Sequence, residues 1–279
     1  MPFIEINGLD CYYERYGAGP PLLNISGSGG DLRRAKPARS PLNKHFDVVH
    51  YDQRGLGQTS KPPGPYSMDE YADDAAALIA AMGWRSANIV GTSFGGMVAL
   101  NLAIRHGEVI DRLVLNCTSP GGPLPSFPLH ELEKLDTEAA IEVKLGLLDS
   151  RWNPGADDPI PGLGPFYDLM IERMRAIPEP EAARGSMLQL LARADHDVST
   201  RLDRVTAPTL VCAGEFDDQA PLQNSIALVE GIPDARLRVF QGGHLFLIQD
   251  RTAFATITAF LEGDPLFEAA GADPPADDS

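Results

Sequence analysis

Two hydrophobic periods alternate along the chain. Short apolar runs recur as "PLLNIS" (21–26), "FDVVHYD" (46–52), "SANIVGTS" (86–93), "IDRLVLNCTS" (110–119), "APTLVCAGEFD" (207–217) and "ARLRVFQGG" (235–243). Continuous runs of this length, stopped by Gly, Pro and Asp, predict strands buried on both faces. Between them, "SMDEYADDAAALIAAMG" (67–83), "FGGMVALNLAIRHG" (94–107), "LQNSIALVEGI" (222–232) and "TAFATITAFLEG" (252–263) carry apolar residues at helical spacing. Ser67 and Glu70 have the spacing of a capping box. The opening, "FIEINGLDCYYERYG", alternates around an Asn-Gly turn signal, as a β-hairpin does. The pattern predicts an α/β fold: a mostly parallel sheet with helices on both faces.

One region breaks the alternation. From 121 to 199 no strand is legible; a Pro- and Gly-rich start gives way to helical stretches beginning near His130, Pro165 and Pro178, three or four helices in all. The expected organisation is a core of residues 1–120 and 200–265, a helical cap inserted at 121–199, and an acidic, disordered tail at 266–279. A cap at that point lies over the carboxyl ends of the strands, where open α/β sheets place their ligands.

The candidate chemistry gathers at those same ends. Gly91-Thr92-Ser93-Phe94-Gly95 has the form G-x-S-x-G, with a strand before it and a helix after it. Glycines two before and two after Ser93 permit a tight turn with the hydroxyl at its apex, beside the positive end of a helix. An N-cap role for Ser93 explains its hydroxyl but leaves both glycines unexplained. A serine nucleophile needs a base and a group to orient that base. Of six histidines, His244 in "VFQGGHLF" sits on a loop past a strand end. His50 reads as a core histidine, His45, His106 and His130 as exposed, and His196 as surface or cap lining. For the acid, Asp217 and Asp218 both qualify by position in "GEFDDQAP", with Glu215 a weaker third.

Charge and composition narrow the partners. The net charge of −16 disfavours nucleic acid, whose backbone is bound by clustered Lys and Arg. No apolar run approaches the ~18 residues of a membrane span, and the N-terminus lacks a signal-peptide pattern. Three scattered cysteines, Cys11, Cys117 and Cys212, do not suggest disulfides; the last two read as buried, inert thiols. A soluble, cytoplasmic protein acting on a small molecule is expected. No His/Cys cluster has ligand spacing, so neither metal nor organic cofactor is expected.

These motifs resemble those of the α/β-hydrolase superfamily over nearly the whole chain. "VGTSFGG" resembles the family's nucleophile elbow, and "GGHLF" its histidine loop. Gly214, Asp217 and Pro221 match its G-x-x-D-x-x-x-P acid loop, which selects Asp217 over Asp218. "DQRGLGQTS" (52–60) is similar to a loop in which Asp52 and Arg54 are structural. Where many members have His-Gly, this chain has Ser26 and Gly27. The resemblance implies that Gly27 and Ser28 form the turn aiming one backbone N–H at the substrate oxygen, and that the Phe94 N–H is the second donor. It also implies a capped serine hydrolase of the esterase, enol-lactonase and C–C bond hydrolase branch. The expected reaction cleaves a carboxylic ester or lactone through an acyl-enzyme, with C–C bond hydrolysis or cofactor-free perhydrolysis as alternatives on the same triad.

Two further readings compete with this one. "LLNISGSGGDLRR" (22–34) lacks the third glycine of a dinucleotide loop and the G-K-[ST] of a P-loop. A non-catalytic binding protein on the same fold is the other. In the cap, Trp152, Phe166 and Met187 are candidates to line an apolar pocket, and Arg184 or Arg193 to meet a carboxylate.

Overall fold

The structure, a computed structural model, describes residues 2–264; the expected acidic tail lies outside the described residues. Eight strands form one sheet: β1 (Phe3–Ile6), β2 (Leu9–Tyr16), β3 (Pro21–Ile25), β4 (Asp47–Tyr51), β5 (Ala87–Thr92), β6 (Ile110–Asn116), β7 (Thr209–Gly214) and β8 (Ala235–Phe240). Their spatial order is β1-β2-β4-β3-β5-β6-β7-β8. Both pairings of β2 are antiparallel and all others are parallel. The opening hairpin turns at Asn7 and Gly8, both at positive φ (48° and 75°), the combination a type I′ turn requires.

The described chain also has nine α-helices, α1 (Leu32–Ala35), α2 (Met68–Ala81), α3 (Phe94–Arg105), α4 (Thr137–Leu148), α5 (Phe166–Arg175), α6 (Pro180–Ala194), α7 (Leu222–Gly231), α8 (Phe246–Gln249) and α9 (Ala253–Glu262), besides short 3₁₀ turns. The capping box at Ser67 and Glu70 forms at the start of α2. Because side chains alternate across a strand, each central strand feeds two cores. Leu23, Val49, Ile89 and Leu115 pack with α2 and α3 on one face. Leu22, Val48, Val90 and Val114 pack with α9 on the other. This is why those strands read as unbroken apolar runs.

The segment between β6 and β7 carries α4, α5, α6 and a short 3₁₀ turn at Leu129–Lys134. It has its own apolar cluster, built on Ile141, Leu145, Leu148, Ile160, Leu163 and Met170. The chain steps outward from β3 to β4 and then back to β5. The loop after β3 and the turn after β5 therefore flank a switch point, the crevice where such sheets bind ligands.

Candidate active site

Ser93 joins β5 to α3 with φ 55° and ψ −115°, a conformation that non-glycine residues rarely adopt. The strain is held from several sides. The Ser93 N–H donates to the Asn116 carbonyl at 2.8 Å, and the Thr118 hydroxyl donates to the Ser93 carbonyl at 2.8 Å. Both flanking glycines are sterically required. A Cβ on Gly91 would lie 2.4 Å from the Gly95 carbonyl oxygen, and one on Gly95 only 2.1 Å from that of Ile25. The elbow thus presses directly against the end of β3.

His244 and Asp217 arrive from the ends of β8 and β7. The Ser93 hydroxyl lies 2.9 Å from His244 Nε2, and His244 Nδ1 lies 2.7 Å from Asp217 Oδ2. Asp217 Oδ1 accepts the backbone N–H groups of Gln219 and Ala220, each at 2.9 Å, which fixes the carboxylate. All three side chains are buried. Burial opposes charging of the imidazole, but the adjoining Asp217 carboxylate outweighs it, so the His244 pKa is raised above the ordinary histidine value. Asp218 is exposed, and its N–H donates to the Leu147 carbonyl instead.

Around the Ser93 hydroxyl, Phe94 opens α3, so its N–H has no carbonyl within the helix to bond. In the loop after β3, the Gly29 N–H is taken by Gln189 Oε1 at 2.8 Å, and the Ser28 hydroxyl is buried without a partner. Gly27 lies against the elbow: a Cβ there would be 3.5 Å from that of Ser93. The Gln53 amide holds Ser26, donating to its carbonyl at 2.8 Å.

The remaining candidates fall elsewhere. Trp152 and Phe166 pack on the apolar cluster of the inserted segment, and Trp152 Nε1 donates to the Tyr167 hydroxyl at 3.3 Å. Met187 is half-buried on α6, outside that cluster. Asp52 accepts the N–H groups of Leu32 and Gln58, and Arg54 pairs with Asp74 and Glu70, both supporting the loops. His50 is buried in β4, where burial pulls its pKa down to about 4. His196 is buried too, not on the surface, with Nε2 3.1 Å from the Ser119 carbonyl. His106 and His130 are half-buried where exposure was expected; His106 is held by Asp73 at 2.7 Å.

Three residues at the site escaped the sequence reading. Gln219 places its amide nitrogen 2.6 Å from His244 Nε2, beside the Ser93 hydroxyl and in competition with it. The Leu148 carbonyl accepts the His244 N–H at 2.6 Å, tying the end of α4 to the histidine loop. Cys117, expected only to pack, offers Sγ within 4.8 Å of ligand atoms of Asp217 and His244. Strand order is the signal that finds it: β6 lies between β5 and β7, so its first residue past the strand must enter the line joining Ser93 to Asp217. Cys117, Asp217 and His244 are the one potential metal-ligating cluster among the described residues. The His244 nitrogen facing Asp217 is already engaged there, by the 2.7 Å contact.

A serine at a strained strand–helix turn, bonded to a histidine that is bonded to a buried aspartate, occurs here on a mostly parallel sheet. Residues 20–250 match the alpha/beta hydrolase fold. The chain belongs to that family. It is 29% identical over 253 residues to a putative carbamate hydrolase, RutD, from Azorhizobium caulinodans, covering 88% of this chain and 92% of the relative. It is likewise 29% identical over 241 residues to a poly(3-hydroxyalkanoate) depolymerase from Ectopseudomonas oleovorans, covering 85% and 82%. Among solved structures, an enol-lactonase from Burkholderia xenovorans LB400 superposes with a TM-score of 0.73 at 24% identity, covering 96% of this chain and 99% of that one. This chain is a hydrolase of that fold. Among the described residues, no helix is long and apolar enough to cross a membrane.

Proposed function

We propose that the protein is a serine hydrolase that cleaves a carboxylic ester or lactone of a small, largely apolar substrate through an acyl-enzyme. One observation carries the reading: Ser93 is held at φ 55° with its hydroxyl 2.9 Å from His244 Nε2. An N-capping serine needs no such backbone and no such partner. His244 takes the hydroxyl proton as Oγ attacks the carbonyl carbon, and Asp217 keeps the ring in the required tautomer and stabilises its charged form. The N–H groups of Phe94 and Ser28 receive the developing oxyanion, each donor contributing about 3–4 kcal/mol to the barrier reduction. His244 then protonates the leaving alcohol. Water adds to the acyl-enzyme with His244 again as base, and Ser93 is regenerated.

The segment 121–199 acts in this reading as a cap over the site. The apolar side chains of its cluster, including half-buried Trp152 and Phe166, support an apolar acyl or alcohol group. Leu245, next to His244, packs on the same cluster. A soluble, cytoplasmic enzyme without a cofactor fits the sequence.

Carbamate hydrolysis is the second reading, favoured by the 29% identity to the Azorhizobium protein. The same serine attacks a carbonyl flanked by nitrogen and oxygen. Turnover of p-nitrophenyl esters from acetate to octanoate, by the wild type and Ser93→Ala side by side, tests the central claim. Activity in the wild type alone supports it, and equal activity in both sinks it. Phenyl carbamates run in parallel separate the two substrate classes.

A further inference from the structure

Arg193, near the end of α6, is a buried cation without a counter-charge. The residue is 5% exposed, yet its recorded partners are neutral: Nη1 donates to the Phe127 carbonyl and Nη2 to the Ser126 hydroxyl, both at 2.6 Å. Nε is buried with no partner at all. A guanidinium has five N–H donors, so two bonds leave more than half of them idle. Burial draws the Arg193 pKa down to about 10, with no acid acting against it. Arg54, 8% exposed, shows the usual solution, with Asp74 and Glu70 both in contact. A charge taken out of water without an opposite charge is strongly unfavourable, so Arg193 calls for an anion from outside the chain.

There is room for one. Arg193 lines a cavity of about 120 Å³ between the loop after β6 and the end of α6. At about 30 Å³ per water, that is the space of roughly four waters. Ser119, Ser126 and His130 add polar groups, and Met97 and Pro128 add apolar wall. His130 engages Glu131 through Nε2 at 3.2 Å, while its Nδ1 is buried and unpartnered. The Met97 N–H bonds the Ser93 carbonyl, so the cavity begins one helical turn from the nucleophile.

We propose that this cavity binds a small carboxylate, with Arg193 as its principal donor. A planar carboxylate matches the guanidinium fork, and the apolar wall receives a short carbon chain. The carboxylate comes either from the far end of the acyl substrate or from a free carboxylic acid. The first source rests on the acyl-transfer reading above; the second does not.

Calorimetric titration at fixed ionic strength tests the site, using butyrate and adipate against uncharged butyramide. At a net charge of −16 the protein repels anions in general, so binding of the acids reports a specific site. The acids bind, butyramide does not, and Arg193→Met, shown folded by circular dichroism, weakens acid binding about tenfold or more. Butyramide binding as well as butyrate, or acid binding unchanged in Arg193→Met, overturns the proposal. Should Arg193→Met not fold, the acid–amide comparison in the wild type decides, with His130→Ala expected to weaken the acids. The source follows from kcat/KM for mono-p-nitrophenyl adipate relative to p-nitrophenyl hexanoate. A ratio that falls in Arg193→Met assigns the substrate's far end; an unchanged ratio with intact acid binding in the wild type assigns the free acid. Acid binding with neither ester hydrolysed leaves the cavity standing and refutes the acyl-transfer reading instead.

Discussion

Helices α3 and α5 have nearly the same length and opposite lives. Every residue of α3 except Arg105 is buried, from Phe94 next to Ser93 to Ile104. In α5 only Met170 is buried, and Ile177 just beyond it is 96% exposed. The first is clamped between the sheet and α2; the second packs mainly on its own segment's small cluster. The inserted segment meets the core at many points, among them the Gln189 amide on Gly29, Gly185 against Gly55, Arg184 on the carbonyls of Lys61 and Pro62, Ala192 in the main core, and the end of α4 on the acid and histidine loops. Its own side chains are nonetheless less buried than those of α3. On the proposed function, the nucleophile stands on the most deeply packed part of the molecule, and the proposed cap on a part whose own side chains are less buried.

Asp217→Asn gives the largest expected effect. It leaves the fold intact because the amide can still be held by the N–H groups of Gln219 and Ala220, but it favours the wrong His244 tautomer. A loss of about 10⁴-fold in kcat, or ~5.5 kcal/mol, is expected in steady-state ester hydrolysis. The acid limb moves as well. His244 works as a base only when neutral, so activity rises as pH climbs through its pKa. That pKa is raised in the native protein, placing the limb above the ordinary imidazole value, and removing the carboxylate shifts it to lower pH. A limb that stays in place means that Asp217 does not face the working base.

Packing comes next. Leu100→Ala, at a fully buried position of α3, is expected to destabilise by about 2–5 kcal/mol in chemical denaturation. Gly95→Ala sets a methyl group 2.1 Å from the Ile25 carbonyl and 2.6 Å from that of Ser26, both backbone atoms. It costs about 1–3 kcal/mol, and because the end of β3 must yield, activity falls further than stability alone explains. Equal stability of Gly95→Ala and wild type would show the elbow to be looser than drawn.

The same contrast governs what can be read from sequence. The central strands are legible because they feed a core on either side and so read as unbroken apolar runs, and α2, α3, α7 and α9 because each packs apolar side chains at helical spacing into one of those cores. Ser93, Asp217 and His244 are legible because a strand end followed by Gly, or by a glycine-flanked residue, leaves its mark locally. What the sequence does not reveal depends on sheet order or on contacts across long separations. Cys117 reaches His244 and Asp217 because β6 lies between β5 and β7. Gln189 meets Gly29 across 160 residues. The sequence offers Arg184 and Arg193 alike as partners for a carboxylate; only the structure separates them, with Arg184 exposed on backbone carbonyls and Arg193 buried with no acid among its hydrogen-bond partners.

Gln219 supplies a finer test of the rigid half. Its amide N–H donates to the neutral form of His244 Nε2 at 2.6 Å and so favours the uncharged ring, opposing Asp217. Gln219→Leu removes that donor. The acid limb of kcat/KM should move to higher pH, opposite in sign to the shift in Asp217→Asn, while thermal stability changes little. A shift to lower pH would mean that the amide oxygen, not the nitrogen, faces the ring.

The smallest effect tests the loose half. Ile177 follows α5, exposes nearly its whole side chain, and contributes no burial to lose. Ile177→Ser is expected to leave stability within about 0.5 kcal/mol and ester hydrolysis unchanged. The position is informative because an apolar side chain so fully in water is free to meet something apolar. If Ile177→Ser leaves short esters untouched but lowers kcat/KM for octanoate, then the end of α5 folds over long acyl chains, and the inserted segment takes part in turnover as a moving element. An unchanged chain-length profile confines selection to the buried cluster around Leu145 and Met170, and the contrast between the two helices holds in solution.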